Sequence, residues 1–173
     1  MLTVAVARHA MATRFEIVLY GNNPVALRAA GEEALDEIER LEAHLSLYRP
    51  TSEISAVNAR AAHAPVRVEP SLFRLLQQAQ RLHRESGGAF DITIAPLVRC
   101  WGFMGGQGRL PDDDQVEAAR AKVGLQMVTF HEECFSVEFG REGMMLDLGA
   151  IGKGYAVERA VEILRDAGVE SAL

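Results

Sequence analysis

The stretch Asp147–Ala160, DLGAIGKGYAVERA, sets a carboxylate, three glycines and one lysine where an apolar strand gives way to a helix. Glycines at 149, 152 and 154 permit close backbone approach to a ligand. A helix start offers unpaired N–H groups and the positive end of the dipole, and Lys153 adds a full charge. That is chemistry for an anion, phosphate above all. The ATPase phosphate loop is a poor fit. Its pattern, GxxxxGK followed by Ser or Thr, would need glycine where Asp147 stands and a hydroxyl where Gly154 stands. A carboxylate close in sequence to the lysine suits a ligand that carries hydrogen-bond donors as well as phosphate oxygens. The plain alternative is a tight strand-to-helix turn with an exposed lysine.

Three further segments carry groups of possible use. In SGGAFDITIAPLVRCWGF (86–103), Asp91 is bracketed by apolar residues, and a carboxylate so placed needs partners or a cation. Phe90, Trp101 and Phe103 offer a wall for a planar ligand; a core segment with a capping aspartate is the alternative. In LSLYRPTSEISAVN (45–58), Tyr48, Arg49, Ser52, Ser55 and Asn58 gather hydrogen-bonding groups on a loop, the kind of element on which binding residues concentrate. An ordinary surface loop has the same composition. In MATRFEI (11–17), a methionine before a strand ordinarily means packing.

The elements that must position these groups follow from hydrophobic spacing. LTVAVARHAMATRFEIVLYG reads as two strands, with Phe15, Ile17 and Leu19 on one face. Asn23 caps a helix with Pro24 at its first position. Leu27, Ala30, Ala34, Ile38, Leu41 and Leu45 step inward by three and four. Its other face, bearing Glu32, Glu33, Asp36, Glu37, Glu39 and Glu42, reads as solvated surface rather than as a metal site. Residues 46–58 read as a loop with room for a helical turn at 52–57, and Val66–Val68 as a short strand. Ser71 is expected to cap a second long helix, with Leu72, Leu75, Leu76, Ala79 and Leu82 inward and Ser86-Gly87-Gly88 at its end. Pro96 excludes a simple strand through 89–103. LPDDDQVEAARAKVG reads as a short helix begun by acidic residues. MVTF, CFSVEF and GMMLDLG read as a three-stranded antiparallel meander. A helix with Ile151, Val157, Ala160, Val161 and Leu164 inward runs to Gly168, and VESAL begins another strand.

The fold class expected is α+β, a mixed or antiparallel sheet with packed helices, apparently incomplete at the C-terminus. No internal domain boundary is marked across 1–173. The 49% hydrophobic and 24% charged residues in 173 suffice for a real core. A formal net charge of -6 disfavours nonspecific nucleic-acid binding, which draws on phosphate counterion release. Cys100 and Cys134 form no CxxC, and two unpaired thiols is a better reading than a disulfide. The five histidines form no HxxxH or HxH, so no histidine-based metal site is written locally. No apolar run approaches membrane-spanning length, and the first fifteen residues lack the pattern of a secretory leader.

In this order the four segments resemble the ApbE-type flavin transferase family. MATRFEIVLY resembles its opening M-G-T-x-F strand, LSLYRPTSEISAVN its serine-rich loop, SGGAFDITIAPLVRCWGF its G-x-F-D-x-T segment ending in W-G-F, and DLGAIGKGYAVERA its D-x-G…K-G-x-A-x-D motif. The resemblance implies an FAD:protein FMN transferase. A threonine hydroxyl of a target protein attacks the FMN-side phosphate of FAD, AMP leaves, and Mg2+ bridges the diphosphate. Carried over by motif, Met11 and Tyr48 would line the FAD pocket, and Ala89, Phe90 and Asp91 would contact the dinucleotide. Asp147 would bind it from the strand end, Lys153 would meet its phosphates, and Ala150 would offer Mg2+ its backbone carbonyl. Two positions depart from the family pattern: Ala12 stands for its glycine and Glu158 for its closing aspartate. The resemblance also implies a histidine-containing segment and a D-x-x-T-type motif that supply the metal's side-chain ligands, and neither occurs in these residues. The chain alone is therefore expected to bind flavin weakly or not at all, and not to transfer FMN. A non-catalytic FAD or nucleotide-binding module, or a fold remnant, is the competing reading. The family often works on the outer face of the bacterial inner membrane; compartment, oligomeric state and target protein are not legible.

Overall fold

The computed structural model describes residues 2–173. In chain order the elements are β1 (Leu2–Ala10), β2 (Thr13–Gly21), α1 (Pro24–Leu45), α2 (Glu53–Arg60), β3 (Val66–Arg67), α3 (Pro70–Glu85), α4 (Ala95–Cys100), α5 (Asp113–Arg120), β4 (Val128–His131), β5 (Ser136–Phe139), α6 (Gly152–Asp166) and β6 (Ser171–Ala172). The class is α+β, as the sequence leads one to expect, and every strand pairing among the described residues is antiparallel. The chain folds as two compact units, one of residues 1–44 with 151–173 and one of residues 45–150. Among the described residues, no helix is long and apolar enough to cross a membrane.

The first unit holds a sheet of order β1-β2-β6. Alternation puts Val4, Val6 and Ala10 of β1 and Ile17 and Leu19 of β2 in the core. The β1–β2 hairpin closes through Met11 and Ala12, both left-handed, at φ 49° and 57°. Two positive-φ residues match the strand twist, and the alanine standing for the family's glycine therefore takes a conformation that disfavours a Cβ. β6 pairs with β2, and Val18 and Leu173 exchange backbone hydrogen bonds of 2.8 Å. Asn23 caps α1 by accepting from the Ala26 N–H at 3.1 Å. All six residues assigned to its inner face are buried. Gly31 lets the helix lie close on the sheet, for a Cβ there would stand 2.8 Å from Val6 Cγ2 and 2.9 Å from Leu19 Cδ1.

The acidic face of α1 is not simply solvated. Arg8 of β1 reaches across to Glu32 at 3.0 Å, Glu39 at 3.2 Å and Asp36. Its hydrogen bond to Asp36 is the main reason its guanidinium holds its proton more tightly than usual. Glu37 accepts a two-pronged bond from Arg40, at 2.7 and 2.8 Å. That hydrogen bond holds the Glu37 carboxyl below its ordinary 4.5, against a smaller opposing effect of burial and with help from Arg159 and His44. A depressed folded value means the stabilisation is complete above the unfolded value and is lost as pH falls through the folded one. Urea titrations from about pH 6 down to about pH 3 should therefore show a steeper loss of stability in the unaltered chain than in Glu37→Gln. Equal slopes would mean that the Arg40 contact contributes nothing. In α6 the buried face is Gly152, Ala156, Ala160 and Leu164. Val157, expected inward, is 48% exposed, because the buried stripe runs through the small residue before it.

The second unit holds a sheet of order β3-β5-β4, with a core that includes Ile54, Val57, Phe73, Leu75, Leu76, Ile92, Leu125 and Val137. The turn foreseen at 52–57 is the start of α2, and Ser52 caps it by accepting from the Ser55 N–H at 3.0 Å. α3 begins at Pro70, not at a Ser71 cap. Proline fits that first position because it has no N–H to leave unpaired, and Ser71 Oγ donates to Glu69 at 3.3 Å from within the first turn. The third strand of the expected meander does not form. Residues 144–148 belong to no strand; Met144, Leu146 and Leu148 are buried in alternation, and the backbone hydrogen bonds of Leu146 and Asp147 go to Asn58 and Ile92. The third strand of this sheet is β3 instead, pairing Val66 with Val137. Cys100 is buried, Cys134 is exposed, and both are free.

Candidate functional site

Three segments far apart in sequence are joined by hydrogen bonds within the second unit. The first is 46–58. Ser52 Oγ donates to the Ser46 carbonyl at 2.6 Å, Ser55 Oγ donates to the Leu47 carbonyl at 3.3 Å, and Ser46 Oγ accepts from the Tyr48 N–H at 3.2 Å. The serines thus tie the loop onto the first turn of α2 and leave Tyr48 62% exposed. Near the other end of α2, Asn58 grips the backbone of Leu146 twice. Its amide donates to the carbonyl at 3.0 Å and its oxygen accepts from the N–H at 2.7 Å. The Asp147 N–H then donates to the Ile92 carbonyl at 2.7 Å, which joins the third segment to the second.

The second segment turns sharply after α3. Gly87 and Gly88 are both left-handed, Ser86 Oγ accepts from the Phe90 N–H at 3.0 Å, and Ala89 is exposed. Asp91 points into the protein. Oδ1 accepts from the Thr93 N–H at 2.8 Å and the Thr93 hydroxyl at 2.6 Å; Oδ2 accepts from the Leu125 N–H at 3.1 Å. His83 Nδ1 lies 2.9 Å from the Phe90 carbonyl and 3.5 Å from Asp91 Oδ2. Both neighbours are acceptors, so Nδ1 carries a proton. The turn walls an open cleft of about 560 Å³ whose lining includes His83, Arg84, Asp91, Gly124 and Gln126. Phe90, Trp101 and Phe103 make no ring contact with one another among the described residues; Phe103 is 64% exposed.

The glycine-rich motif runs in sequence from the second unit into the first. On the second unit's side, Asp147 is half-buried, its Oδ1 accepts from the Gly149 N–H at 2.7 Å, and Ala150 is exposed. The aspartate is therefore partly occupied in shaping its own loop. In the first unit, α6 starts at Gly152 with no side-chain cap at Ile151. Its first-turn N–H groups are unpaired by any cap, Lys153 is exposed, and the lysine has no ion-pair partner among the described residues. A helix N-terminus with an unneutralised lysine in its first turn suits an anion. Met11 also belongs to the first unit, at the hairpin tip.

Of the residues named from sequence, the second unit gathers 89–91 with Asp147 and Ala150 through the Ile92–Asp147 bond, and Tyr48 is tied in through α2 and Asn58. Met11 and Lys153 stand in the other unit. Thr93, fully buried, joins the set unforeseen; its hydroxyl accepts from the Gly124 N–H at 2.7 Å. The D-x-T spacing was the signal for it, since an aspartate commonly accepts from the residue two further on. For Mg2+ the fit is partial. The ion takes six oxygens in near-ideal octahedral geometry, and Ala150, whose carbonyl the resemblance implies as one of them, is an exposed residue.

Residues 11–173 match the ApbE family. The chain is 32% identical over 167 residues to an FAD:protein FMN transferase of Treponema pallidum, covering 93% of this chain and 46% of that protein. It is 36% identical over 167 residues to one of Klebsiella pneumoniae, covering 92% and 52%. Among solved structures, the ApbE protein of Thermotoga maritima superposes with a TM-score of 0.90 at 28% identity, over 99% of this chain and 55% of that one. The flavin transferase ApbE of Vibrio cholerae gives 0.88 at 27%, over 99% and 56%. The chain thus spans about half the length of the curated relatives it matches. A family match over nearly all its residues, on a fold shared with solved members, establishes that the chain belongs to the ApbE family.

Proposed function

We propose that this chain carries flavin-binding machinery of an FAD:protein FMN transferase. The observation that supports this most directly is the hydrogen-bonded linkage of 46–58, 89–94 and 144–149, which orders three family motifs together. In this reading Met11 and Tyr48 line the flavin pocket, Ala89, Phe90, the backbone of Asp91 and Asp147 contact the dinucleotide, and Lys153 meets its phosphates. The reaction joins an acceptor threonine's oxygen to the FMN phosphorus. The bond from that phosphorus to the bridging oxygen breaks, AMP leaves with the oxygen, and the hydroxyl proton passes to solvent. Such phosphoryl transfers are governed by positioning and by neutralisation of the diphosphate charge. Mg2+ would supply that neutralisation when bound, with Ala150 giving one carbonyl. Because one carbonyl is far short of a coordination shell, the chain by itself is expected to bind FAD weakly and to transfer no FMN.

Titration of FAD into the chain, followed by quenching of flavin fluorescence with and without Mg2+, tests the reading. Saturable binding supports it, and AMP release on adding a threonine-bearing acceptor peptide would overturn the expectation of inactivity. No saturation at millimolar FAD would leave only the fold. Lys153→Ala is expected to weaken FAD about tenfold or more, the usual worth of a charge-assisted bond to phosphate. Unchanged affinity would remove Lys153 from the phosphate site. Its exposure makes an effect through misfolding a poor alternative, and an unaltered melting temperature would exclude one.

A further inference from the structure

We propose that Asp91 is a positioning residue: its carboxylate braces the 86–94 turn against the turn at 124–125, and it serves flavin by holding Ala89 and Phe90 in place. The inference rests on the transferase reading for its ligand but not for its geometry.

An ionised carboxylate offers about four acceptor sites. Three at Asp91 are filled, by the Thr93 N–H, the Thr93 hydroxyl and the Leu125 N–H, and the fourth faces His83 Nδ1 at 3.5 Å. Little is left for a ligand, and the side chain is only 12% exposed. The bonds have a direction. The Gly124 N–H donates to Thr93 Oγ1, and that hydroxyl donates onward to Asp91 Oδ1, so one proton chain closes the 124–125 turn onto the 91–93 turn. His83 adds a second tie by donating to the Phe90 carbonyl at 2.9 Å. The peptide of Phe90 is thus held on both sides, its N–H by Ser86 Oγ and its carbonyl by His83. What remains for a ligand is the exposed Ala89 and the half-exposed Phe90 ring.

Thr93 makes the idea testable, because it is 0% exposed and cannot touch a ligand. Thr93→Val keeps the shape and removes the hydroxyl. FAD affinity is expected to fall several-fold in Thr93→Val and by a similar factor in Asp91→Asn. The double variant should be no weaker than the weaker single, and Thr93→Ser, which restores the hydroxyl, should recover the affinity. Amide exchange at Gly124 and Leu125 should quicken in both single variants. The proposal is overturned if Asp91→Asn loses FAD while Thr93→Val binds normally and amide exchange is unchanged, for Asp91 would then touch flavin itself. If the unaltered chain binds no FAD, the transferase reading fails separately. The brace is then judged on exchange alone, and unchanged Gly124 and Leu125 amides in Asp91→Asn sink it.

Discussion

Asn58→Ala is expected to destabilise the chain by about 2–4 kcal/mol, because it strips partners from two backbone groups at once. Asn58 bonds both the N–H and the carbonyl of Leu146. Leu146 is fully buried, in a segment that has no strand neighbour to pair with it. An unpaired buried backbone group costs about 1–3 kcal/mol, and partial access of water near the half-buried Asn58 sets the figure below the full sum. Asn58→Asp should do little better. It keeps an acceptor for the N–H, but loses the donor and sets a negative charge against the carbonyl. The consequence reaches the site through the next residue, since Asp147 is aligned by its bond to Ile92. Urea unfolding at constant m-value, with exchange of the Leu146 amide, checks this. A loss under about 0.5 kcal/mol would show that water takes over both bonds.

The same asparagine shows where sequence reading reaches and where it stops. Asn58 stood out as one of several polar groups on a candidate binding loop, yet its partner lies 88 residues away and its bonds are internal. Local pattern carries α1 and α3 because their burial repeats every three or four residues. It also carries the Asn23–Pro24 helix start, where cap and first turn are adjacent. It misassigns 143–149 as a strand because alternation of buried residues reports an extended backbone and not its hydrogen-bond partner. It misplaces Val157 because apolar character outweighs size by eye, whereas Ala156, Ala160 and Leu164 let α6 pack closely. The motif segments themselves are legible. The role of Asp91 within its segment is not, because it depends on the amide of Leu125, supplied by a turn 34 residues on.

Phe73→Ala is expected to cost about 3–5 kcal/mol, the largest single effect in the second unit. Phe73 is 1% exposed on α3. Its ring meets Phe130 of β4 edge to face, with centroids 6.1 Å apart, and Phe135 at 5.6 Å. Each such pair is worth about 0.5–1.5 kcal/mol beyond the area it buries. Removing the ring therefore loses the transfer free energy and both aromatic contacts, and it opens a void between a helix and a sheet that collapse poorly into it. Phe135 limits any relaxation. It holds a left-handed backbone at φ 50°, its carbonyl accepts from the Val68 N–H at 2.9 Å, and moving it would disturb the β3 end of the sheet. Phe73→Leu should recover much of the loss by refilling the volume, about half or more, but not the edge-to-face terms. The difference between the two variants in urea unfolding separates packing from ring geometry. Near-equal losses would mean that the rings matter more than the filled space. A Phe73→Ala loss under about 1.5 kcal/mol would mean that the sheet closes onto α3 after all. Because His83 lies in the last turn of α3 and the chain runs on from there to Asp91, the same variant should also quicken amide exchange at Leu125 if core and brace unfold as one unit.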